Sequence, residues 1–337
     1  MKVFNRNYRM NHINSPIFGE YYSGLKSCVL DIEATGLDPS RCKVILMGLL
    51  TETEDGVRVT QFLAENHYEE YKVLQATLDF LRDEGIDYLI TFNGLRYDIP
   101  FINTRLEANF LDADPDSGQS GIKLYDFDLY RFLRKCSNLP QRLDSLSQAS
   151  CEQFFGIAGN RQDTITGRES VALFDEYSIS GNSTIEKIIL THNREDVLQL
   201  YQLMQLASRN EYADILDGDF HSAIAKYGFP VGRFAACPVL NEKKKLLTIT
   251  GDQLTSPISA AYFPDIDNPI TATFNKTTAS YEIQLPVSIH GNDFFVDIQK
   301  LGLDISDDPD LINGYLILNS RTINLIARSI LCQVHQR

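Results

Sequence analysis

Three short stretches carry residues of the kinds that do chemistry. The first is VLDIEATGL, residues 29–37, where Asp31 and Glu33 sit two apart inside an apolar run. In a strand, alternate side chains share a face, so both acids project together while Leu30 and Ile32 point the other way. Like charges held beside a core are expensive unless something compensates them. The second stretch is TFNGLRYDIPF, residues 91–101, in which Asp98 follows a strand near the start of a helix. The third is HNRED, residues 192–196. His192 and Asp196 are about one helical turn apart and lie on much the same stripe as Ile185 and Ile189, so both point inward.

Each stretch also has a plain reading. A DxE in a strand is more often a solvated face than a metal site. Asp98 could cap the helix it precedes. His192 could be a satisfied core histidine paired along its helix with Asp196. The three together weigh more, because acids from two strand ends and a late helix converge only if the fold brings them together.

The elements that must position them follow from periodicity and punctuation. Residues 27–34, 42–50 and 57–64 read as strands, with Gly36, Pro39 and the EDG of 54–56 in turns that suit hairpins. Residues 68–85 place Tyr71, Leu74, Leu78 and Leu81 at helical spacing and end in Gly85, a C-cap signal. A strand over 87–94, a helix from about 97 to 109 and a strand over 122–128 come next. Residues 125–180 are expected to be mostly helical, with a loop such as GIAGNRQDTITGRES at 156–170. Residues 183–210 form the strongest helix, with Ile185, Ile189, Leu200 and Leu203 in a stripe and Ser183 or Thr184 as cap. Strand, strand, strand, helix, strand, helix, strand gives class α/β.

Beyond about 215 the runs KKLLTITG, ISAAYF, ITATFN, SYEIQLPVSI and DFFVDI are short and β-like, and a helix is expected over 322–334. The expected division is an irregular lead-in over 1–22, a first domain over 23–210, and a β-rich region over 211–337 ending in a helix. A length of 337 residues makes two domains the prior.

Composition narrows the classes. Apolar content of 43% and charged content of 23% are ordinary for a globular protein. No apolar run approaches a membrane span, and MKVFNRNYRMNHINSP does not read as a signal peptide. Six cysteines without close pairing read as reduced thiols, which suggests a cytoplasmic protein without a structural zinc site. The net charge of −14 counts against a protein that coats duplex nucleic acid. It does not exclude an enzyme that grips a few nucleotides beside cations. Residues 211–337 hold 10 Lys/Arg against 15 Asp/Glu, so they give no electrostatic support for a dedicated nucleic-acid module.

DIEATGL, FNGLRYDIPF and HNREDV, in this order and spacing, resemble the three motifs of the DEDD superfamily of 3′–5′ exonucleases. More closely, the chain resembles the YprB-type ribonuclease H-like domain, where FNG-x-x-[FY]-D-x-P is characteristic and the third motif ends in x-N-x-x-D-V. The resemblance covers residues 27–205. It implies a ribonuclease H-like fold: three antiparallel strands, then alternating helix and strand, in a mixed sheet with helices on both faces. It implies a metal-dependent 3′–5′ exonuclease acting on single-stranded DNA or RNA 3′ ends.

It also implies roles. Asp31, Glu33, Asp98 and Asp196 would hold two divalent cations, Mg²⁺ or Mn²⁺, whose charge would cancel the repulsion between the acids. Two cations about 4 Å apart suit phosphodiester hydrolysis. His192 would be the general base. It departs from the pattern, because the histidine subclass places its His five residues before the last Asp and the tyrosine subclass its Tyr four before; this chain has a His at the tyrosine spacing. Thr35, Asn93 and Tyr97 are candidates for contacts with the terminal nucleotide, Phe92 for core packing, and Asp126 and Asp128 for capping or support.

Two other readings remain. One is a catalytically silent nuclease-like module that binds nucleic acid or a partner protein; the presence of all four acids counts against it. The other is an endonuclease of the ribonuclease H type, which would not need a His one turn before the last Asp. Residues 211–337 could clamp a strand, dock a protein partner or complete the fold.

Overall fold

The computed structural model describes residues 1–111, 121–160, 165, 167–209, 211–263, 269–303, 305 and 308–335. Residues 161–164 and 166 of the expected loop, Asn210 of the expected long helix, and Asp304 lie outside the described residues. The chain forms two compact units, Met1–Ile215 and Leu216–Arg337.

The first unit opens with β1 (Lys2–Tyr8) and α1 (Pro16–Tyr22). It continues through β2 (Ser27–Ala34), β3 (Val44–Thr53), β4 (Gly56–Leu63), α2 (Glu70–Asp83), β5 (Tyr88–Thr91), α3 (Asp98–Ala108) and β6 (Tyr125–Asp128). Helices α4 (Leu129–Cys136), α5 (Leu139–Arg142), α6 (Gln148–Phe154), α7 (Gly167–Ser180) and α8 (Ser183–Gln205) complete it. The strands form one mixed sheet in the order β1-β4-β3-β2-β5-β6. The first four members pair antiparallel; β5 joins β2, and β6 joins β5, in parallel. This is the α/β arrangement expected of the ribonuclease H-like fold.

Three expectations are corrected. Residues 1–22 are not irregular: β1 is an edge strand paired along its whole length with β4, from Lys2↔Leu63 to Tyr8↔Val57. Its run of Asn, Arg and Asn hides it, because an edge strand that faces water needs little apolar character. The cap of α8 is Asn182, whose side chain accepts from the Thr184 N–H at 2.8 Å, rather than Ser183 or Thr184. The first unit also runs to Ile215: Tyr212 and Ile215 are buried, the Tyr212 hydroxyl donates to Leu203 O at 2.6 Å, and Ile215 O accepts from the Asn138 N–H. Gly85, in the left-handed region at φ 62°, ends α2 as read from the sequence.

The alternation in β2 decides what each face meets. Leu30 and Ile32 join a buried cluster with Leu74, Leu78 and Leu81 of α2 and Phe101, Ile102 and Leu106 of α3. The opposite face, which carries Asp31, is covered by α8, packed across β2, β3 and β4. The stripe Ile185, Ile189, Leu200 and Leu203 is buried, so α8 is anchored as the 3.6-residue period requires.

The second unit begins with α9 (Phe220–Tyr227). Its strands are β7 (Phe229–Val231), β8 (Phe234–Asn241), β9 (Leu246–Asp252), β10 (Ala260–Tyr262), β11 (Thr271–Asn275) and β12 (Ser280–Pro286), then β13 (Ser288–His290), β14 (Asp293–Asp297), β15 (Leu311–Ile312) and β16 (Tyr315–Ile317), before α10 (Ser320–His335). They make a six-stranded sheet, β10-β11-β12-β9-β8-β7, and a four-stranded one, β13-β14-β16-β15. Helix α10 buries Ile326, Ala327, Ile330 and Leu331 and packs on β8 and α9. Buried Gln253 pins the loop after β9: its Nε2 donates to the carbonyls of Ile258, Asn275 and Ser280, and its Oε1 accepts from the Ile258 N–H. Among the described residues, no helix is long and apolar enough to cross a membrane.

Candidate active site

Asp31 and Glu33 occupy the C-terminal half of β2, between β3 and β5. The register with β3 slips between Glu33 and Ala34, a bulge that re-aims the strand as it leaves the sheet. Thr35 stitches the far side of that slip. Its N–H donates to Lys43 O, and its Oγ1 accepts from the Lys43 N–H, both at 2.9 Å.

Asp98 is the first residue of α3. Tyr97, not Asp98, is the N-cap position, and its side chain makes no capping bond; Asp98 stands one residue inside the helix. The turn that delivers Asp98 is held from β6. The Asp128 carboxylate accepts from the N–H groups of Asn93 (2.9 Å) and Leu95 (3.3 Å), and also from Arg131 (3.1 Å), which caps α4. Asn93 sits in the left-handed region at φ 66°, a conformation Asn tolerates. The Tyr97 hydroxyl donates to Gly36 O at 3.4 Å, joining this turn to the loop after β2. Phe92 is half-buried with its ring 5.9 Å from that of Tyr130, so it is not a core residue.

His192 and Asp196 lie on α8, one turn apart. The His192 Nε2 is 3.6 Å from Glu33 Oε1 and 3.7 Å from Asp196 Oδ2. Ligand atoms of Glu33, His192 and Asp196 all fall within 4.8 Å of one another. His192, Glu33 and Asp98 are buried, and Asp196 is 20% exposed.

The charges report the crowding. Burial pushes the Glu33 carboxyl up to about 7; His192 pulls it back, and Asp196 and Asp98 push it further. Asp98 is also pushed up to about 7 by burial, against the pull of the Asp98 and Ile32 backbone amides and with a push from Asp128 and Asp196. Asp31 retains some solvent contact, yet desolvation and the charges of Asp196, Asp98 and Glu33 hold it well above the carboxylate range. Tyr97 rises to about 12, mainly through desolvation and then through Asp98 and Glu33. The four acids named from the sequence therefore share one electrostatic neighbourhood. Hard oxygen donors and one imidazole, crowded in this way, are a donor set that suits a divalent cation.

Two neighbours were not singled out from the sequence. Asn193, fully buried, donates from Nδ2 to Asp31 Oδ2 at 2.8 Å. Ser170 of α7, also fully buried, lies close enough to Glu33 to draw its carboxyl down, although the hydroxyl is not aligned into a hydrogen bond. Asn193 stands inside the HNREDV motif, a signal that was in view; nothing local marks Ser170.

No curated protein matches this chain. The chain is similar to the family B DNA polymerase from the hyperthermophilic archaeon Pyrobaculum calidifontis, at 17% identity and a TM-score of 0.40, over 68% of this chain and 34% of the polymerase. It thus spans about a third of that protein's length. The family model described as the RNase_H superfamily matches residues 28–208. That span holds β2 from Cys28 onward, the turn before α3 and all of α8, and with them each acid of the cluster; the chain belongs to the RNase_H superfamily.

Proposed function

We propose that this chain is a metal-dependent 3′–5′ exonuclease that hydrolyses phosphodiester bonds at single-stranded DNA or RNA ends. The observation that carries the reading is the cluster of Glu33, His192 and Asp196, whose ligand atoms lie within 4.8 Å of one another, with Asp31 and Asp98 near enough to repel the same acids. These carboxylates would hold two divalent cations, Mg²⁺ or Mn²⁺, which supply the positive charge that neutralises the acids and polarises the phosphodiester.

The chain's own groups divide the remaining work. His192 Nε2 takes a proton from the attacking water, and Glu33 and Asp196, at 3.6 and 3.7 Å, stabilise the imidazolium that results. The contact with Asp196 supports the base role despite the unusual spacing, since the imidazole reaches the acids from four residues before the last Asp. Thr35 keeps its hydroxyl proton to donate, because Oγ1 already accepts from Lys43. Asn93 and Tyr97 flank the site on the turn held by Asp128 and orient the terminal nucleotide.

The test is a gel time course on 5′-labelled single-stranded DNA and RNA of one sequence, with Mn²⁺, Mg²⁺ or EDTA, beside Asp31→Ala. A ladder that shortens from the 3′ end, and is absent with EDTA and with the variant, is the expected result. Internal cuts, or a ladder that persists in Asp31→Ala, would overturn it.

A further inference from the structure

Asp31, Gly48 and Gln61 form one row across three strands: Asp31 pairs with Gly48, and Gly48 with Gln61. Directly opposed residues of neighbouring strands point to the same face. The middle member has no side chain, so the row has a notch between a carboxylate and an amide. Helix α8 fills it. A Cβ on Gly48 would lie 2.3 Å from Asn193 Oδ1 and 2.8 Å from both Cγ and Nδ2. A glycine inside a strand weakens the strand and often marks such a close approach. Here it interrupts the buried run Val44–Leu50.

The hydrogen bonds leave one orientation for both amides. The Leu190 carbonyl can only accept, so Gln61 must turn Nε2 toward it, at 3.0 Å. The same Nε2 then donates to Asn193 Oδ1 at 2.8 Å. With its oxygen so engaged, Asn193 must turn Nδ2 toward Asp31, where it donates to Oδ2 at 2.8 Å. The two amides avoid solvent, Asn193 being 0% and Gln61 3% exposed, while Asp31 is half-buried.

From this geometry we infer that Gln61 and Asn193 are positioning residues that fix the Asp31 carboxylate, and that Gly48 exists to seat them. This rests on the metal reading above. One Asp31 oxygen is committed to the amide, and the other is left for a cation. Losing such a partner typically weakens metal affinity by 10–100-fold.

The test titrates Mn²⁺ into metal-free protein by calorimetry and records the melting temperature in EDTA. The proteins are wild type, Asn193→Ala, Gly48→Ala and the double variant. Asn193→Ala is expected to lower Mn²⁺ affinity by about 10–100-fold. Gly48→Ala is expected to lower both affinity and melting temperature. The double variant has room for the new methyl group, so its melting temperature should recover relative to Gly48→Ala while its affinity stays low. Should Gly48→Ala fail to fold, Asn193→Ala and the double variant still decide. Mn²⁺ affinity within twofold of wild type in Asn193→Ala, or regained in the double variant, overturns the positioning role and leaves the metal reading intact. No binding by the wild type overturns the metal reading, and the positioning role with it.

Discussion

Replacing Glu33 by glutamine should stabilise the metal-free protein at pH 8, and most of the gain should be gone at pH 5. The Glu33 carboxyl is raised from 4.5 to about 7 in the folded chain, chiefly by burial. Between those values the unfolded chain has released this proton while the folded chain still holds it. The folded state then binds more protons, so the free energy of unfolding falls as pH rises through this window and levels off above about 7. Each pKa unit is worth about 1.4 kcal/mol, so the interval amounts to on the order of 3 kcal/mol at pH 8. Glutamine keeps the shape and carries no charge, so the variant escapes this loss. Urea unfolding followed by far-ultraviolet circular dichroism, in EDTA at pH 5 and pH 8, measures it. Mn²⁺ should then stabilise the wild type more than the variant, because a ligand bound to the folded state alone adds to stability. A variant no more stable than wild type at pH 8 would refute the reasoning: the attraction of His192 would then outweigh the desolvation of Glu33.

Asp98→Asn should likewise raise stability in EDTA above pH 7, since Asp98 is also held at about 7, and should abolish the 3′ ladder; melting curves and the gel assay check the two halves. His192→Ala should slow hydrolysis by roughly 10²–10⁴, and a loss under tenfold in single-turnover kinetics would move the base role elsewhere. Arg105 binds Glu70 through two 2.8 Å contacts, and Glu70 is 4% exposed, so Arg105→Leu removes the counter-ion of a buried carboxylate, leaves it only the Val44 N–H and Asn109 Nδ2, and should cost about 3 kcal/mol by urea unfolding. Asp128→Ala removes the acceptor for three backbone N–H groups; it should cost about 1–2 kcal/mol by the same assay and lower activity by loosening the turn that carries Asp98.

What could be read in the sequence was what obeys a local period. β2 spans residues 27–34 as the alternation around Asp31 and Glu33 demands, and α8 follows its stripe. The terminal helix stands where its apolar spacing put it. The acids were visible because a charge inside an apolar run is out of place wherever it falls. β1 was not legible, since its partners lie 49 to 61 residues away in β4, from Tyr8↔Val57 to Lys2↔Leu63, and its own residues are mostly polar. The Asp31–Gly48–Gln61 row was hidden for a related reason: its members are scattered along the chain and become neighbours only through strand register. Gly48 in VILMGLL carries no local signal of its role, which becomes intelligible only with Asn193 above it. Ser170 reaches Glu33 from a helix whose docking no periodicity reveals.

Helix α8 has a consequence for motion. Its 23 residues carry His192, Asn193 and Asp196 on the same rod as Ile189, Leu200 and Leu203, which are at most 2% exposed. Elements bound into a core open only with the cooperative unit they belong to, whereas binding loops open at little expense. The amides of α8 around residue 193 should therefore be among the slowest to exchange with deuterium, and those of the turn at 93–97 should exchange faster. One wall of the cluster is as stiff as the core itself. On the proposed function, a nucleic-acid end that enters would meet a wall that does not yield, and adjustment by the protein would fall to the turn that carries Asp98.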